Sequence, residues 1–574
     1  MKHLIKIEST PHGVLGVRHA GLDQQYCEAG ELVTLKWQPD AKWGLQEAHY
    51  TDGDDNIVPI DLKRVKIDGK DVVVFTMPNA NITVGGTFKR FVLSDWAGFF
   101  DALGFGEFNE NATYQDGDII IYKGVLYQFN ADHSGAWTGA DAEPISVAEV
   151  LEMLSHQNDV YGVSYDESLS STAKPRVGNM ALHQSLPIQS GMKRCVVKDD
   201  GTVNYYLDAN DSTLKADGTA ADLTGADGQV MVEIPEHWRK VTKTDGGVVT
   251  ALISAYWQQG WKHVPTYYVG AYQATVDTTL STKNKLCSVA NTTNAFRGGS
   301  NNSTWDGTYR DQRGTPRTGL TMVNYRTYAR NRGSKAWNFL LYDLYIDIYW
   351  LYVIEYANTN SQAAFDSSLT SEGYHQGGLG AGASTLNDSK WSAFNSYNPF
   401  LQCGITNTLG NNSGEVTYTM PDEYDTGNTV TIKVCSYRGI ENVFGQIYHW
   451  LEGVKVNDDK TYRCSNADDF SSAASQGNYY LEGNKVAADG YVKQMFIGKD
   501  GSIMPTAVGG GSTTYYADYH YRANAGPTSW YGVAVGGDAY SGAVDGLAYV
   551  SANSSVSYSH ASLGARLCFS KALL

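Results

Sequence analysis

From Gly509 to Phe569 the chain uses a narrow alphabet that limits what it can fold into. Between Asp500 and Ser570 there is no Lys and no Glu, and Arg522 and Arg566 are the only fixed positive charges. Tyr515, Tyr516, Tyr519, Tyr521, Tyr531, Tyr540, Tyr549 and Tyr558 stand with Trp530 among Ser, Gly, Ala and Asn. Evolved binding loops favour these types. Tyr gives a stiff, amphipathic contact for little rotamer entropy, and Ser, Gly and Asn supply adaptable hydrogen bonds. An all-β domain with Gly-rich loops, its strands decorated by Tyr and Ser, fits the same alphabet. Residue types alone leave both readings open.

Ala561-Ser562-Leu563-Gly564-Ala565-Arg566-Leu567-Cys568-Phe569 closes the polar run with an apolar strand. Upstream stands Glu441-Asn442-Val443-Phe444-Gly445-Gln446-Ile447-Tyr448-His449-Trp450. Together these words resemble the variable proteins of diversity-generating retroelements. That family carries a C-terminal C-type-lectin fold, shared with formylglycine-generating enzymes, beneath a mutable ligand-binding surface. The resemblance covers roughly the C-terminal half. It implies that the Glu441–Trp450 element lies in the core under the binding face. It also implies that mutable positions drift among Asn, Tyr, Ser, Asp, His, Gly and Ala, the palette between Asp518 and Ser559.

The expected binding face comprises His520, Tyr521, Asn524, Ser529, Tyr531, Asp538, Tyr540, Asp545, Tyr549, Ser551, Asn553 and Tyr558, within residues 515–562. Gly536-Gly537, Gly542 and Gly546 read as scaffold turns, and Val533, Val535, Leu547, Leu563 and Leu567 as core.

A length of 574 residues implies several domains. A net charge of -17 argues against a nucleic-acid partner, which needs a basic face, and disfavours anionic membrane. The seven cysteines are scattered, odd in number and free of CxxC spacing, so neither a disulfide framework nor a zinc site is indicated. Met1–Glu8 lacks an apolar core of signal-peptide length, which fits a protein assembled inside a cell and released by another route.

In chain order, residues 1–95 read as an Ig-like β-sandwich. Val33, Leu35 and Trp37 alternate with polar neighbours, and Asp68-Gly69 marks a hairpin turn before Val73, Phe75 and Met77. Residues 96–145 hold a small carbohydrate-binding-like β module, with Ile119–Tyr122 and Val125–Phe129 joined by Lys123-Gly124. Tyr122, Tyr127 and Trp137 could stack on sugar rings, but a module this small first needs them for its own core. Residues 146–185 read as a short helix, capped by Ser146 and Glu149, and a linker. A β-rich connecting segment, 186–276, precedes the α+β domain, 277–574. Its Asp208, Asn210 and Asp211 lack EF-hand spacing. Tyr325–Arg332 reads as one helix and Lys335–Glu355 as another. Asp343 and Asp347 make the second a buried helix rather than a membrane span, with Arg326, Arg330 and Arg332 as partners. Gly373–Asn412 reads as surface loops.

The fold class is therefore multidomain: a β-rich N-terminal half, then a C-type-lectin-like α+β domain. No enzyme is expected, and no cofactor. The family's oxidases need paired cysteines near the end of the fold, and only Cys568 stands there, in an apolar setting. Asp343 with Asp347, and Asp538 with Asp545, are weak candidates for a glycosidase pair. His520 and His560 lack a nucleophile motif. Asp518, His520 and Asp538 lack metal-ligand spacing. The reading is a phage tail-fibre receptor-binding protein, located in the virion tail, that recognises a bacterial surface protein or glycan. Its N-terminal half would meet other virion tail proteins. The resemblance adds a homotrimer, which no heptad supports. A bacterial surface adhesin and a polysaccharide-degrading tailspike are the alternatives.

Overall fold

The structure, a computed structural model, describes residues 2–19, 25–39, 43–62, 64–67, 70–90, 105–280, 282–299, 306–308, 310–382, 386, 388–421, 429–522 and 529–573. The chain is β-rich and forms two compact units, Met1–Tyr114 with Asp118–Ser146, and Gln115–Gly117 with Val147–Leu574.

The first unit begins with a sandwich. A five-stranded sheet is ordered Tyr26–Glu28, Lys2–Ile7, Ile82–Arg90, Trp43–Thr51 and Ile57–Ile60. A four-stranded sheet is ordered Gly13–Arg18, Leu32–Pro39, Lys70–Thr76 and Arg64–Ile67. Side chains alternate along each strand, so Ile5, Cys27, Ala48 and Val84 from one sheet meet Leu15, Val17, Val33, Leu35, Val73 and Phe75 from the other. The strands Arg64–Ile67 and Lys70–Thr76 pair antiparallel as the sequence predicts. The turn residues Asp68 and Gly69 lie outside the described residues.

Farther along, Ile119–Tyr122 and Val125–Phe129 form a hairpin, extended by Ala142–Pro144. Its turn places Lys123 at φ 51° and Gly124 at φ 77°, as a tight hairpin of right-handed twist requires. The rings of this module pack on one another. Tyr122 stacks on Trp137 at 4.3 Å, Tyr127 meets Trp137 edge-on at 4.8 Å, and Tyr114 stacks on Phe129 at 4.9 Å. The aromatic residues form the module's own core.

The second unit opens with the expected helix, Val147–Ser155. The linker expected beyond it, up to residue 185, is instead part of the folded core. Tyr161–Asp166 is an inner strand between Arg176–Gly178 and Val248–Ser254, and Tyr161, Val163 and Tyr165 are buried. The alternating Tyr-Gly-Val-Ser-Tyr-Asp carries the strand period, diluted by polar residues on both sides. The segment 186–276 does not merely connect. Its strands Lys193–Val197, Gln229–Ile234 and Tyr267–Gly270 share a six-stranded sheet with the C-terminal strand Leu567–Ser570 and with Trp337–Phe339.

At the centre lies the helix Tyr342–Tyr356, preceded by Met322–Arg330. The longer helix starts later than its apolar pattern predicts, because Trp337–Phe339 is taken up as a sheet edge. Apart from Asp343, Asp347 and Glu355 it is apolar all round, and such a helix must be enclosed. Strands of three sheets enclose it, through Val163 and Val249, Val232 and Val269, and Val454, Val533 and Leu547. Among the described residues, no helix is long and apolar enough to cross a membrane.

The three acids on this helix are all paired, Glu355 with Arg438 at 2.6 Å, and Asp343 and Asp347 not with the arginines proposed from sequence. Asp347 accepts from His237 Nε2 at 3.0 Å, from Tyr267 at 2.8 Å, and from Arg239. Asp343 accepts from Arg463 Nε and Ser465 Oγ, both at 2.8 Å. Arg326 instead meets Glu452 at 2.6 Å, Arg330 the Ala467 carbonyl, and Arg332 Asp199. The Gly373–Asn412 region also departs from expectation. It contains the helix Asp388–Asn395, whose Trp391 is buried.

Candidate functional site

The site stands on a nine-stranded sheet whose middle strands are Tyr448–Asn457, Trp530–Gly536, Gly546–Ser551 and Tyr519–Tyr521. Tyr448–Asn457 emerges from the Glu441–Trp450 element. Phe444, Ile447 and Trp450 are fully buried, while Tyr448, at the start of the strand, packs beside the same cluster as Trp450 and is only half-buried. The core thus holds this strand on both faces, and only Tyr448 at its start is left partly open. Leu563–Gly564 pairs in parallel with Tyr448-His449, bringing the C-terminal segment beside it.

These elements enclose a cleft of about 480 Å³. Seven of the twelve sequence-predicted residues line it: Tyr521, Asp538, Tyr540, Tyr549, Ser551, Asn553 and Tyr558. Tyr540 and Tyr558 are the outermost rings, 58% and 42% exposed. Tyr549 is enclosed, yet its hydroxyl donates to Tyr448 Oη at 3.2 Å, which lies 3.3 Å from Ser541 Oγ. Asp538 Oδ1 accepts from Ser541 Oγ at 2.8 Å and from the Tyr540 and Ser541 amides at 3.2 Å, fixing the loop that carries Tyr540. Ser551 Oγ donates to Asn553 Oδ1 at 2.9 Å. On the opposite wall Tyr558 lies parallel to His560, at an interplanar angle of 7°.

The remaining predicted residues fall elsewhere. His520 is fully buried, its ring nitrogens 3.2 and 3.3 Å from the Val550 and Val486 carbonyls. Burial, with nearby Lys485, lowers its pKa to about 4. The reason is strand parity: with Tyr519 and Tyr521 outward, the residue between them points inward. Asp545 is also fully buried, against Gly537, and burial beside Asp538 and Asp518 pushes its carboxyl well above the ordinary range. Neither His520 nor Asp545 is a surface contact, which corrects that expectation. Ser529 and Tyr531 are half-buried and do not line the cleft, and Asn524 lies outside the described residues. The tyrosine run is likewise divided. Tyr516 is buried, its hydroxyl donating to Glu167 at 2.6 Å.

The glycine turns and core positions fall as the sequence implies. Gly537 adopts φ 76°, and a Cβ there would collide with the Asp545 carboxyl. Val533, Val535, Leu547, Leu563 and Leu567 are buried.

Sequence reasoning missed Trp391, Tyr397, Tyr448, Ser541, Ser554, His560 and Ser562, all of which line the cleft. Tyr448 was hidden inside an element read as core. Tyr397 came from a stretch read as loops, and it carries a distinctive backbone. Ser396 and Tyr397 follow the helix Asp388–Asn395 at φ 55° and 65°, a region that side chains other than glycine seldom adopt. The Trp391 indole N–H donates to the Asn398 carbonyl at 2.8 Å and holds this turn in place.

Chemically, the cleft presents rings, hydroxyls, amides and one carboxylate. His560 Nδ1 lies 2.9 Å from Ser562 Oγ and accepts the Ser562 amide at 3.3 Å, a turn contact between near neighbours. Among the described residues, no trio of His, Cys, Asp or Glu donors gathers in the cleft. Cys568 is buried away from it, donating to the Phe339 carbonyl, with burial pushing its thiol up to about 12.

The site therefore belongs to a β-rich, multidomain chain with a tyrosine-lined cleft on a buried-helix scaffold. No protein-family model and no curated protein matches the chain. Among solved structures it is similar to the chain named Major Tropism Determinant U1 Variant, at 13% identity and a TM-score of 0.20, over 81% of this chain and 98% of that one. It is also similar to Major Tropism Determinant P3c Variant, at 10% identity and a TM-score of 0.20, over the same shares.

Proposed function

We propose that this chain is a receptor-binding protein of a phage tail fibre, and that the cleft around Tyr540, Tyr549 and Tyr558 holds part of a bacterial surface protein or glycan. One observation carries the reading: seven side chains chosen for their binding chemistry, spread from residue 521 to residue 558, converge on one cleft of about 480 Å³. The cleft joins exposed rings to hydroxyl and amide groups on strands fixed from behind by a buried core, as a preorganised binding surface requires. Binding proceeds without chemistry. Asp343 and Asp347 are engaged in ion pairs, and Asp545 is sealed beneath Gly537, so among the described residues no pair of carboxylates faces the cleft in the manner of a glycosidase. Each site binds weakly, and several copies, in trimers and on one virion, multiply that affinity. The N-terminal unit meets other tail proteins, and a retroelement diversifies the cleft.

Incubating the protein with host capsule and host cells tests the reading. Retention on cells without released oligosaccharide is the expected result, whereas released oligosaccharide would make the chain a degrading tailspike. Diversification predicts a neighbouring reverse transcriptase gene and a near-copy of the codons for Tyr516 to Leu567, differing at template adenines.

A further inference from the structure

Far from the cleft in sequence, the sandwich of the first unit gathers three donors of different chemistry. His19 directly follows the strand Gly13–Arg18 of the four-stranded sheet. Cys27 lies in Tyr26–Glu28 of the five-stranded sheet, where it faces inward and is fully buried. Glu31 stands in the turn that leads into Leu32–Pro39. His19 Nε2 lies 3.2 Å from Glu31 Oε2, Cys27 Sγ lies 3.4 Å from the same oxygen, and all three donors fall within 4.8 Å of one another.

We infer that His19, Cys27 and Glu31 form a binding site for a zinc-type divalent cation that ties the two sheets of the sandwich together. Zinc bonds of about 2.0–2.3 Å to N, S and O in a tetrahedron place neighbouring donors about 3.3–3.7 Å apart. The His19–Glu31 and Cys27–Glu31 separations fall at that spacing, and the third, between His19 and Cys27, lies within 4.8 Å, within reach of side-chain adjustment. The donor set is nitrogen, sulfur and carboxylate oxygen, the mixture that zinc accepts and that calcium and magnesium do not. One thiolate and one carboxylate neutralise a divalent charge, and water completes the fourth position.

The scaffold holds the donors in place before any metal arrives. The Glu28 amide donates to Glu31 Oε2 at 2.9 Å, fixing the carboxylate. The Met77 amide donates to the Glu31 carbonyl at 2.9 Å, and the Gly30 amide to the Met77 carbonyl at 2.8 Å, so the turn is pinned to the core. Cys27 sits in register opposite His3. On binding, the thiol that now faces Glu31 loses its proton to solvent and a sulfur–metal bond replaces the S–H bond. No oxidant or reductant takes part. The sequence hides the site, because its donors lack CxxC or HxxxH spacing and come from the end of one strand, the middle of another and a turn.

The test titrates the full chain, stripped with a chelator, first with Co²⁺ and then with Zn²⁺. The expected result is one Co²⁺ per chain, with a thiolate-to-cobalt charge-transfer band and tetrahedral visible bands that Zn²⁺ abolishes. Cys27→Ser should remove the charge-transfer band. His19→Gln, at a partly exposed position that spares the core, should weaken binding by at least the roughly 10- to 100-fold that loss of an outer-shell partner costs, while circular dichroism stays unchanged. Absence of a thiolate band at one equivalent would overturn the assignment. So would a band that survives both Cys27→Ser and His19→Gln, since the metal would then sit on another of the cysteines.

Discussion

Asp347 shows how a single residue can be both a cost and a lock. Burial alone would raise its pKa, but His237, Arg239 and Tyr267 reverse that and bring it down to about 2. Its unfolded value is about 3.9. The folded value is the lower one, so the unfolded chain binds more protons across this window. The stabilisation is therefore complete above about pH 4 and is lost as pH falls toward 2, by an amount on the order of 2 kcal/mol. Denaturant midpoints measured from pH 2 to 5 should fall steeply for the wild type and less steeply for Asp347→Asn. At neutral pH that variant should lose about 3 kcal/mol, because Arg239 stays buried without its charge partner. Equal pH slopes would refute the lock. The partners themselves were not legible in the sequence: Asp347 sits 110 residues from His237 and 108 from Arg239, and only the three-dimensional chain path brings them together. His520 is different. Its inward position is written in the Tyr-His-Tyr alternation, although the alphabet of the whole stretch points to surface.

At the scale of elements, local pattern was readable wherever it ran undiluted. The sandwich strands, the Lys123-Gly124 hairpin and the helices near 147, 322 and 342 all carry period or turn chemistry strong enough to see. Tyr161–Asp166 carries the strand period too, but among polar neighbours. The Ser396-Tyr397 turn carries only the following Asn398-Pro399 as a signal, which marks a turn but not its left-handed backbone. Two consecutive residues other than glycine adopt left-handed φ there because Trp391 and Asn398 hold the chain. Left-handed geometry costs about 1–2 kcal/mol per such residue, and glycine gives back about 0.5–1 kcal/mol of that in entropy. Ser396→Gly should therefore stabilise the protein by about 0.5 kcal/mol without changing cleft binding, as urea unfolding can measure. A loss of stability would mean that the serine side chain, not the backbone, holds the turn.

For the molecule as a whole, the decisive feature is that the C-terminal strand Leu567–Ser570 completes a sheet begun by Lys193–Val197, Gln229–Ile234 and Tyr267–Gly270. A fragment starting at residue 277 lacks those strands and leaves the central helix uncovered on that side. It should be insoluble or molten, whereas a fragment from residue 147 should fold cooperatively. Near-ultraviolet circular dichroism of the two fragments separates the outcomes, and a cooperatively folded 277–574 would contradict the account. The domain boundary escaped the sequence because a strand's partner is set by topology, not by its own residues. The proposed function places receptor binding in the tyrosine-lined cleft. The direct measurement is binding to host cells by the wild type, by Tyr540→Ala/Tyr558→Ala, and by Tyr418→Ala as an exposed tyrosine outside the cleft. The account predicts that the double variant loses at least about 30-fold in affinity, as removal of central aromatic anchors does, while Tyr418→Ala binds like wild type. Undiminished binding by the double variant would contradict it.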